Sequence, residues 1–468
     1  MRRGGTILIA VLVITSLVTM LAMGMLYRMR AEAAASSAAH SGQQAYAVAM
    51  SALFRTMAVL QTSRGDMAVW YDNPDLFRNQ FVTGDGRGDN WYFTLYAPNP
   101  EDPTTPRSGL IDEAGNVNIN VAPASALLAL PNMTGELADC LMDYRDRDSE
   151  PRPEGAEQEY YDHLPTPYLI RNGPFSSLEE LLLVKGFTGS TVYGEDYNLN
   201  GVLDKNEDDG DDSFPPDSRD GMLDTGLMGM VTVVSYERDV DSAGRPRVNL
   251  NGPPEALAGA GLGRTTLQFI AAYRADGNAF RHPSELLNMR FTPKRAAAAP
   301  GGARRGGPGG GTQELSSGVT AANLAGVLDK LTTRTGGARA VVPGLINVNT
   351  ASKGVLSLVP GMDENTAGQI LDARQALEAD KKTSIAWLVA QNVVDAAKFK
   401  QMAPYLTARS LQFRMRCVAF AVPSGRYYVL EAVLDLAQDA PRILYLRDLT
   451  HLGMPVPVKL EELPNRAL

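Results

Sequence analysis

An uncharged apolar run lies between Thr6 and Tyr27, inside MRRGGTILIAVLVITSLVTMLAMGMLYRMR. About 22 residues at ~1.5 Å rise make a helix of roughly 33 Å, enough to cross a ~30 Å hydrocarbon core. Whatever follows is therefore read as tethered to a membrane. Arg2 and Arg3 precede the run and favour a cytoplasmic N-terminus, although Arg28 and Arg30 behind it reduce the asymmetry. A secretory signal peptide is the plainer alternative, and the small residues of AEAAASSAA offer cleavable sites. Its apolar region is normally only ~7 to 15 residues long.

At 468 residues the chain exceeds one ordinary domain, and its 44% hydrophobic content supplies sizeable cores. The two cysteines, Cys140 and Cys417, form no metal-binding cluster, and spacing leaves a disulfide and two buried thiols both open. The formal net charge of -9 is local: residues 195–224 hold eleven acids against Lys205 and Arg219, and the remainder balances. Charge thus marks a site rather than a surface-wide property.

Behind the anchor, Tyr46, Met50, Leu53, Met57 and Leu60 recur at helical spacing, and Gly65 ends the helix. Short β-like pieces follow at Trp91 to Tyr96 and Gly109 to Asp112. A pattern then recurs three times. Asn118 and Asn120 lead to Leu127, Leu130, Ala138, Leu141 and Arg145; Asn249 and Asn251 lead to Leu257, Gly261, Gly263, Ile270 and Arg274; Asn347 and Asn349 lead to Val355, Val359, Gly361, Ile370 and Arg374. Each unit reads as a strand end, an Asn cap, a short helix, a tight turn and a second helix, the pattern of a helix-hairpin-helix. Lys294 to Thr312 is rich in Gly, Ala and Pro and reads as a linker. From Leu411 strict alternation begins: Leu411, Phe413, Met415 and Cys417 face one way, Gln412, Arg414 and Arg416 the other, as in a half-buried antiparallel strand.

The strongest local motif lies in the acidic segment. Asp196, Asn198, Asn200, Asp204 and Glu207 fall at loop positions one, three, five, nine and twelve, with Gly201 at six and the Val202 carbonyl at seven. That spacing wraps oxygens around Ca²⁺ in a loop of EF-hand type, and the ion here is expected to be structural. Asp217, Asp220 and Asp224 repeat part of the pattern and are candidates for a second ion or extra ligands.

Helix-hairpin-helix units often bind DNA through amides that face a phosphate. Asp363 and Glu364 at the third turn, and Glu136 and Asp139 near the first, oppose that use. Only Gly261, Gly263 and Arg264 suit a phosphate, so nucleic acid is not an expected partner. His40, His163, His282 and His451 have no metal-ligand spacing, and no serine or cysteine occupies a nucleophile motif, so no enzyme is expected.

Arg3-Gly4-Gly5 followed by Thr6-Ile7-Leu8-Ile9 resembles the leader and cut site of the type IV prepilin family. The resemblance implies cleavage by a prepilin peptidase between Gly5 and Thr6, N-methylation of Thr6, and an apolar helix left in place. Most members carry a glutamate where this chain has Ala10. A buried carboxylate in a filament needs the amino terminus of a neighbouring subunit as partner. Its absence narrows the resemblance to general secretion pathway protein K, the minor pseudopilin of type II secretion. Gly155-Ala156-Glu157, Tyr160-Tyr161 and Pro174 to Leu181 also resemble the helical insert of that family.

The resemblance implies an α+β fold. A pilin-like N-terminal transmembrane helix and antiparallel sheet are interrupted by a large α-helical insert of helix-hairpin-helix units with a calcium loop. The expected segments are a leader (1–5), the helix (6–64), pilin-like strands (65–117), a first helical insert (118–230) with its calcium loop (196–224), a second repeat (231–290), a linker (291–340), a third repeat (341–410) and C-terminal strands (411–450). The middle repeat departs from the two units usual in the family. Implied partners are the prepilin peptidase, other minor pseudopilins at the pseudopilus tip, the inner membrane and secreted protein cargo. The implied location is the inner membrane, single-pass, with a large periplasmic region. A minor subunit of a type IV pilus and a membrane-anchored DNA-binding protein remain the alternatives.

Overall fold

The computed structural model describes residues 4–84, 88–100, 102–294, 314–337, 340–438 and 440–463. One helix, Gly4–Ser63, runs for 60 residues, or ~90 Å at 1.5 Å per residue. Its N-terminal half is exposed all round, with Ile7, Leu12, Leu17, Leu21 and Met25 each more than half accessible. From Ile7 onward it is long and apolar enough to cross a membrane.

The C-terminal half of the helix lies on an antiparallel sheet. In spatial order the strands are Gln80–Gly84, Asn90–Tyr96, Gln412–Val422, Tyr427–Asp435 and Arg442–Asp448, with Ile111–Asp112 pairing with the end of Gln412–Val422. The middle of this sheet thus joins residues more than 300 positions apart, for example Ala419 opposite Phe93. Ala45, Ala49, Ala52, Leu53 and Leu60 on the helix share a core with Phe413, Met415, Cys417, Ala419 and Leu430. The small residues at 45, 49 and 52 let the helix backbone approach the strands closely.

The rest of the described chain forms an α-helical region seated on the other face of the sheet, so the fold is mixed α+β. It is built from three helix pairs: Ala124–Leu127 with Gly135–Arg145, Pro254–Gly259 with Arg264–Ala275, and Lys353–Ser357 with Glu364–Ala376. In each unit the first Asn turns the chain by accepting from the amide of the second, at 3.0 Å for Asn118, 2.8 Å for Asn249 and 3.0 Å for Asn347. The second Asn reaches a later segment. Asn120 exchanges two hydrogen bonds with the Phe175 backbone, Asn251 does so with Phe280, and Asn349 donates to the Lys382 carbonyl. The terminal arginine folds back as well: Arg145 donates to Ala122 O, Arg274 to Asn251 O and Arg374 to Ala351 O.

Each unit is closed by a short parallel pairing. Val117–Asn118 pairs with Val231–Thr232, Val248–Asn249 with Leu331–Thr332, and Ile346–Asn347 with Leu406–Thr407. This shifts two of the expected boundaries. Val231 ends the first unit instead of opening the second. The segment expected as linker, 291–340, contains the helix Leu324–Lys330 with buried Leu324 and Val327, because the second unit needs Leu331–Thr332 to complete its pairing. The Gly- and Ala-rich run itself, 295–313, lies outside the described residues.

The strand expected to be half-buried is covered on both faces. Every residue from Gln412 to Ala421 is buried. Arg414 Nε donates to Glu113 Oε1 at 2.7 Å, and Arg416 pairs with Glu431 Oε2 at 2.8 Å and with Leu199 O at 2.7 Å. Charged residues marked the non-apolar face correctly, but their partners are buried carboxylates and carbonyls instead of water. Cys140 and Cys417 are both free and buried, and they sit in separate cores. Burial pushes the Cys140 thiol up to about 11 and the Cys417 thiol up further.

Candidate functional site

The six candidate calcium ligands share one loop, Asp196 to Glu207, wedged between the sheet and the helical region. Gly201 has φ +68°, and a Cβ there would meet Pro98 Cγ at 2.6 Å, so a side chain is excluded on both conformational and steric grounds. Asp196 accepts from the Asn200 amide at 3.0 Å and the Gly201 amide at 3.1 Å. Asn198 and Asn200 each direct Nδ2 at Asp204 Oδ2, at 2.8 and 2.9 Å, while Val202 N donates to Asn200 Oδ1 at 2.7 Å. Two amide groups therefore supply the positive end that Asp204 lacks. Glu207 folds back to accept from the Asp204 amide at 3.0 Å, closing a capping box.

Asp196, Asn200 and Glu207 are 4%, 2% and 2% exposed, so the carboxylates have little water to share. Burial raises Asp196, against the pull of Arg416. Burial pushes Glu207 up to about 7; the bond from the Asp204 amide opposes this, and the charges of Asp196, Asp204 and Glu195 add to it. By residue type the loop is an oxygen cage fit for a hard divalent cation. Among the described residues, however, no three carboxylates of 195–224 approach within 4.8 Å of one another.

The second acidic set is spread out. Asp217 accepts from the amides of Asp209, Gly210 and Arg219, Asp220 from Met222, and Asp224 from Gly226. Each carboxylate closes its own turn. The residue that holds this segment to the 196–207 loop is Glu195, which accepts from Ser218 at 2.9 Å and Asp224 at 3.2 Å. Its place directly before Asp196 was the available signal.

The remaining candidates are far apart. Gly5 and Thr6 lie in the first turns of the long helix, and Ala10 is exposed on it. Gly261 has φ +65° and Gly263 opens Arg264–Ala275 without a side-chain cap. The acids at the other two turns are engaged. Asp363 caps its helix through Thr366 N at 2.8 Å and pairs with Lys398 at 2.6 Å, and these contacts, Lys398 first, hold its carboxyl down to about 2. Glu136 pairs with Lys185 at 2.9 Å.

The sequence did not reveal the ionic seat on the sheet. Glu113, fully buried, bridges Arg414 and the Thr232 hydroxyl, joining the sheet to the closing strand of the first unit. Burial alone would raise the Glu431 carboxyl, but Arg414 and Arg416 outweigh it and leave it below the ordinary range. Arg447 pairs with Glu179, and Gln412 receives the Tyr236 amide at 3.0 Å.

Residues 110–193 match the family described as type II secretion system (T2SS), protein K. No curated protein matches the chain. Among solved structures, the GspK-GspI-GspJ complex from the enterotoxigenic Escherichia coli type 2 secretion system is similar at 13% identity and a TM-score of 0.40, over 88% of this chain and 98% of that one. The matched segment, 110–193, spans the turn that begins at Glu113, the first helix pair and its clamp on Phe175. Residues 110–193 thus carry a segment of the type II secretion system protein K family.

Proposed function

We propose that the chain is the tip subunit of a type II secretion pseudopilus, anchored in the inner membrane with its bulk in the periplasm. It initiates assembly with other minor pseudopilins and supports protein export. The observation that carries this reading is the bare apolar half of the Gly4–Ser63 helix, exposed from Ile7 to His40 and lacking an acid at Ala10. Such a helix packs among neighbouring apolar helices below it and offers no carboxylate for the amino terminus of a subunit above. The helix-hairpin-helix units and calcium loop form a wide head that obstructs growth past this subunit. It acts as a structural part, with no catalytic residues.

Processing is the direct test. Wild type recovered from membranes is expected to begin at Thr6, and Gly5→Leu to retain the leader; a mature mass unchanged by that substitution would refute the reading. Calcium is proposed for the 196–207 loop on its donor set, and would be held by Asp196, Asn198, Asn200, the Val202 carbonyl, Asp204 and Glu207. Added Ca²⁺ is expected to raise the melting temperature of wild type. An equal rise in Asp196→Ala with Glu207→Ala would remove the loop from consideration. Nucleic acid is disfavoured because Asp363 and Glu136 occupy the turns; salt-dependent retention on duplex DNA that is lost in Arg264→Ala would reverse that.

A further inference from the structure

The helix Gly135–Arg145 is joined to Gln158–Asp162 by a loop rich in acids. At its two ends Asp146, Asp148 and Glu157 bring one carboxylate oxygen each to within 4.8 Å of one another. Glu157 is 5% exposed, and neither of its oxygens has a hydrogen-bond partner; Asp146 Oδ1 is likewise buried and unpartnered. Asn172, whose Nδ2 donates to the Asp148 carbonyl at 3.2 Å, leaves its own Oδ1 buried without a partner. Four of the nine buried, unpartnered side-chain polar atoms among the described residues thus lie on this one loop and its neighbour. Buried polar atoms are ordinarily satisfied, so a concentration of orphaned acceptors calls for a missing donor.

The nearest cation does not supply it. Arg152 pairs with Asp143 and with Asp146 Oδ2, which leaves Asp146 Oδ1 and all of Glu157 unanswered. The loop is also tightly built: a Cβ on Gly155 would fall 1.8 Å from Asp143 Oδ2. It therefore has little freedom to swing Glu157 out to water.

We propose that Asp146, Asp148 and Glu157 form a site for a hard divalent cation of the Ca²⁺ class, distinct from the 196–207 loop. Oxygens on opposite sides of Ca²⁺, at about 2.4 Å each, stand ~4.8 Å apart, so the separations fit one shared ion. All donors are carboxylate oxygens, with the Asn172 amide oxygen nearby, a set suited to Ca²⁺ and unsuited to soft metals. Asp146 serves both charges, Arg152 through Oδ2 and the ion through Oδ1. Asp148, exposed at the mouth, gives the ion its route in. The ion pins the end of the first helix pair to the start of the next helix.

The test uses the full chain in detergent, stripped with chelator, dialysed against CaCl₂ and assayed for bound calcium per chain. Glu157→Gln and Asp148→Asn are each expected to bind one ion fewer than wild type, whatever the 196–207 loop holds. In chelator Glu157→Gln should melt no lower than wild type, and on adding CaCl₂ it should lack part of the wild-type rise. An unchanged ion count in both variants would overturn the site and assign the orphaned oxygens to shared protons. Asp148→Asn changes an exposed side chain and reads the site even where Glu157→Gln does not fold.

Discussion

The two faces of the sheet have the same strands and opposite chemistry. Towards the long helix, Phe413, Met415, Cys417 and Ala419 meet Ala49, Ala52 and Leu53 in a contact with no charges among its core residues. Towards the helical region, Gln412, Arg414 and Arg416 meet Glu113, Glu431, Tyr236 and Leu199 O. An apolar contact tolerates variation in shape and is roughly proportional to area. A buried ionic contact is all or nothing, because a charge left alone cannot be rehydrated. The long helix is held mainly by apolar bulk, and the helical region by specific ionic bonds.

The largest expected effect tests the ionic side. Glu113→Ala leaves Arg414 only its longer contact with Glu431, 3.9 Å, and removes the bond to Thr232, at a cost of about 3–5 kcal/mol in denaturant unfolding. Combining Glu113→Leu with Arg414→Met should recover most of that, and failure to recover would mean that the bond to Thr232 outweighs the pair. On the apolar side, Leu53→Ala leaves a cavity against the sheet and should cost about 2–5 kcal/mol, with no dependence on salt. Salt sensitivity there would erase the contrast. Arg447→Met breaks a partly exposed pair with Glu179 and should cost only about 1 kcal/mol or less, and less still at high salt.

A pH control lies in the second unit, away from both faces of the sheet. His282 Nδ1 accepts from the Ser284 amide at 3.2 Å at the head of a short helix, a role that only the neutral ring fills. Burial, reinforced by Arg334 and Arg247, holds its pKa down to about 4. The folded state thus binds fewer protons than the unfolded one, so this contribution is complete above about pH 6.5 and is lost as pH falls towards 4. His282→Asn keeps a capping acceptor and should flatten the loss in that window; an equally steep decline would assign it to other groups.

Much of this was legible. The helical spacing of Leu53 and Leu60 and the alternation from Leu411 are local patterns, and both survive in the structure because one side of each element packs into the same apolar core. The Asn-x-Asn repeats were visible, but not their purpose, since Asn120 answers Phe175 and Asn251 answers Phe280 across a loop of variable length. The expected linker, 291–340, is too long because Leu324 and Leu331 gain meaning only beside Val248. The 196–207 spacing stood out because its donors are close in sequence. Asp146, Asp148 and Glu157 did not, because a fold back through Arg152 and Gly155 brings them together.

By itself the sequence determined the long apolar N-terminal helix, the helical insert and the side of each strand that is apolar, all consequences of short-range periodicity and local solvent preference. Only the tertiary structure decided what the charged side faces. Glu113 and Arg414 are 301 residues apart, and nothing local to either distinguishes a carboxylate in water from one buried against an arginine. Chain topology brings them together, and the desolvation that makes their pairing strong exists only once the chain has closed around them.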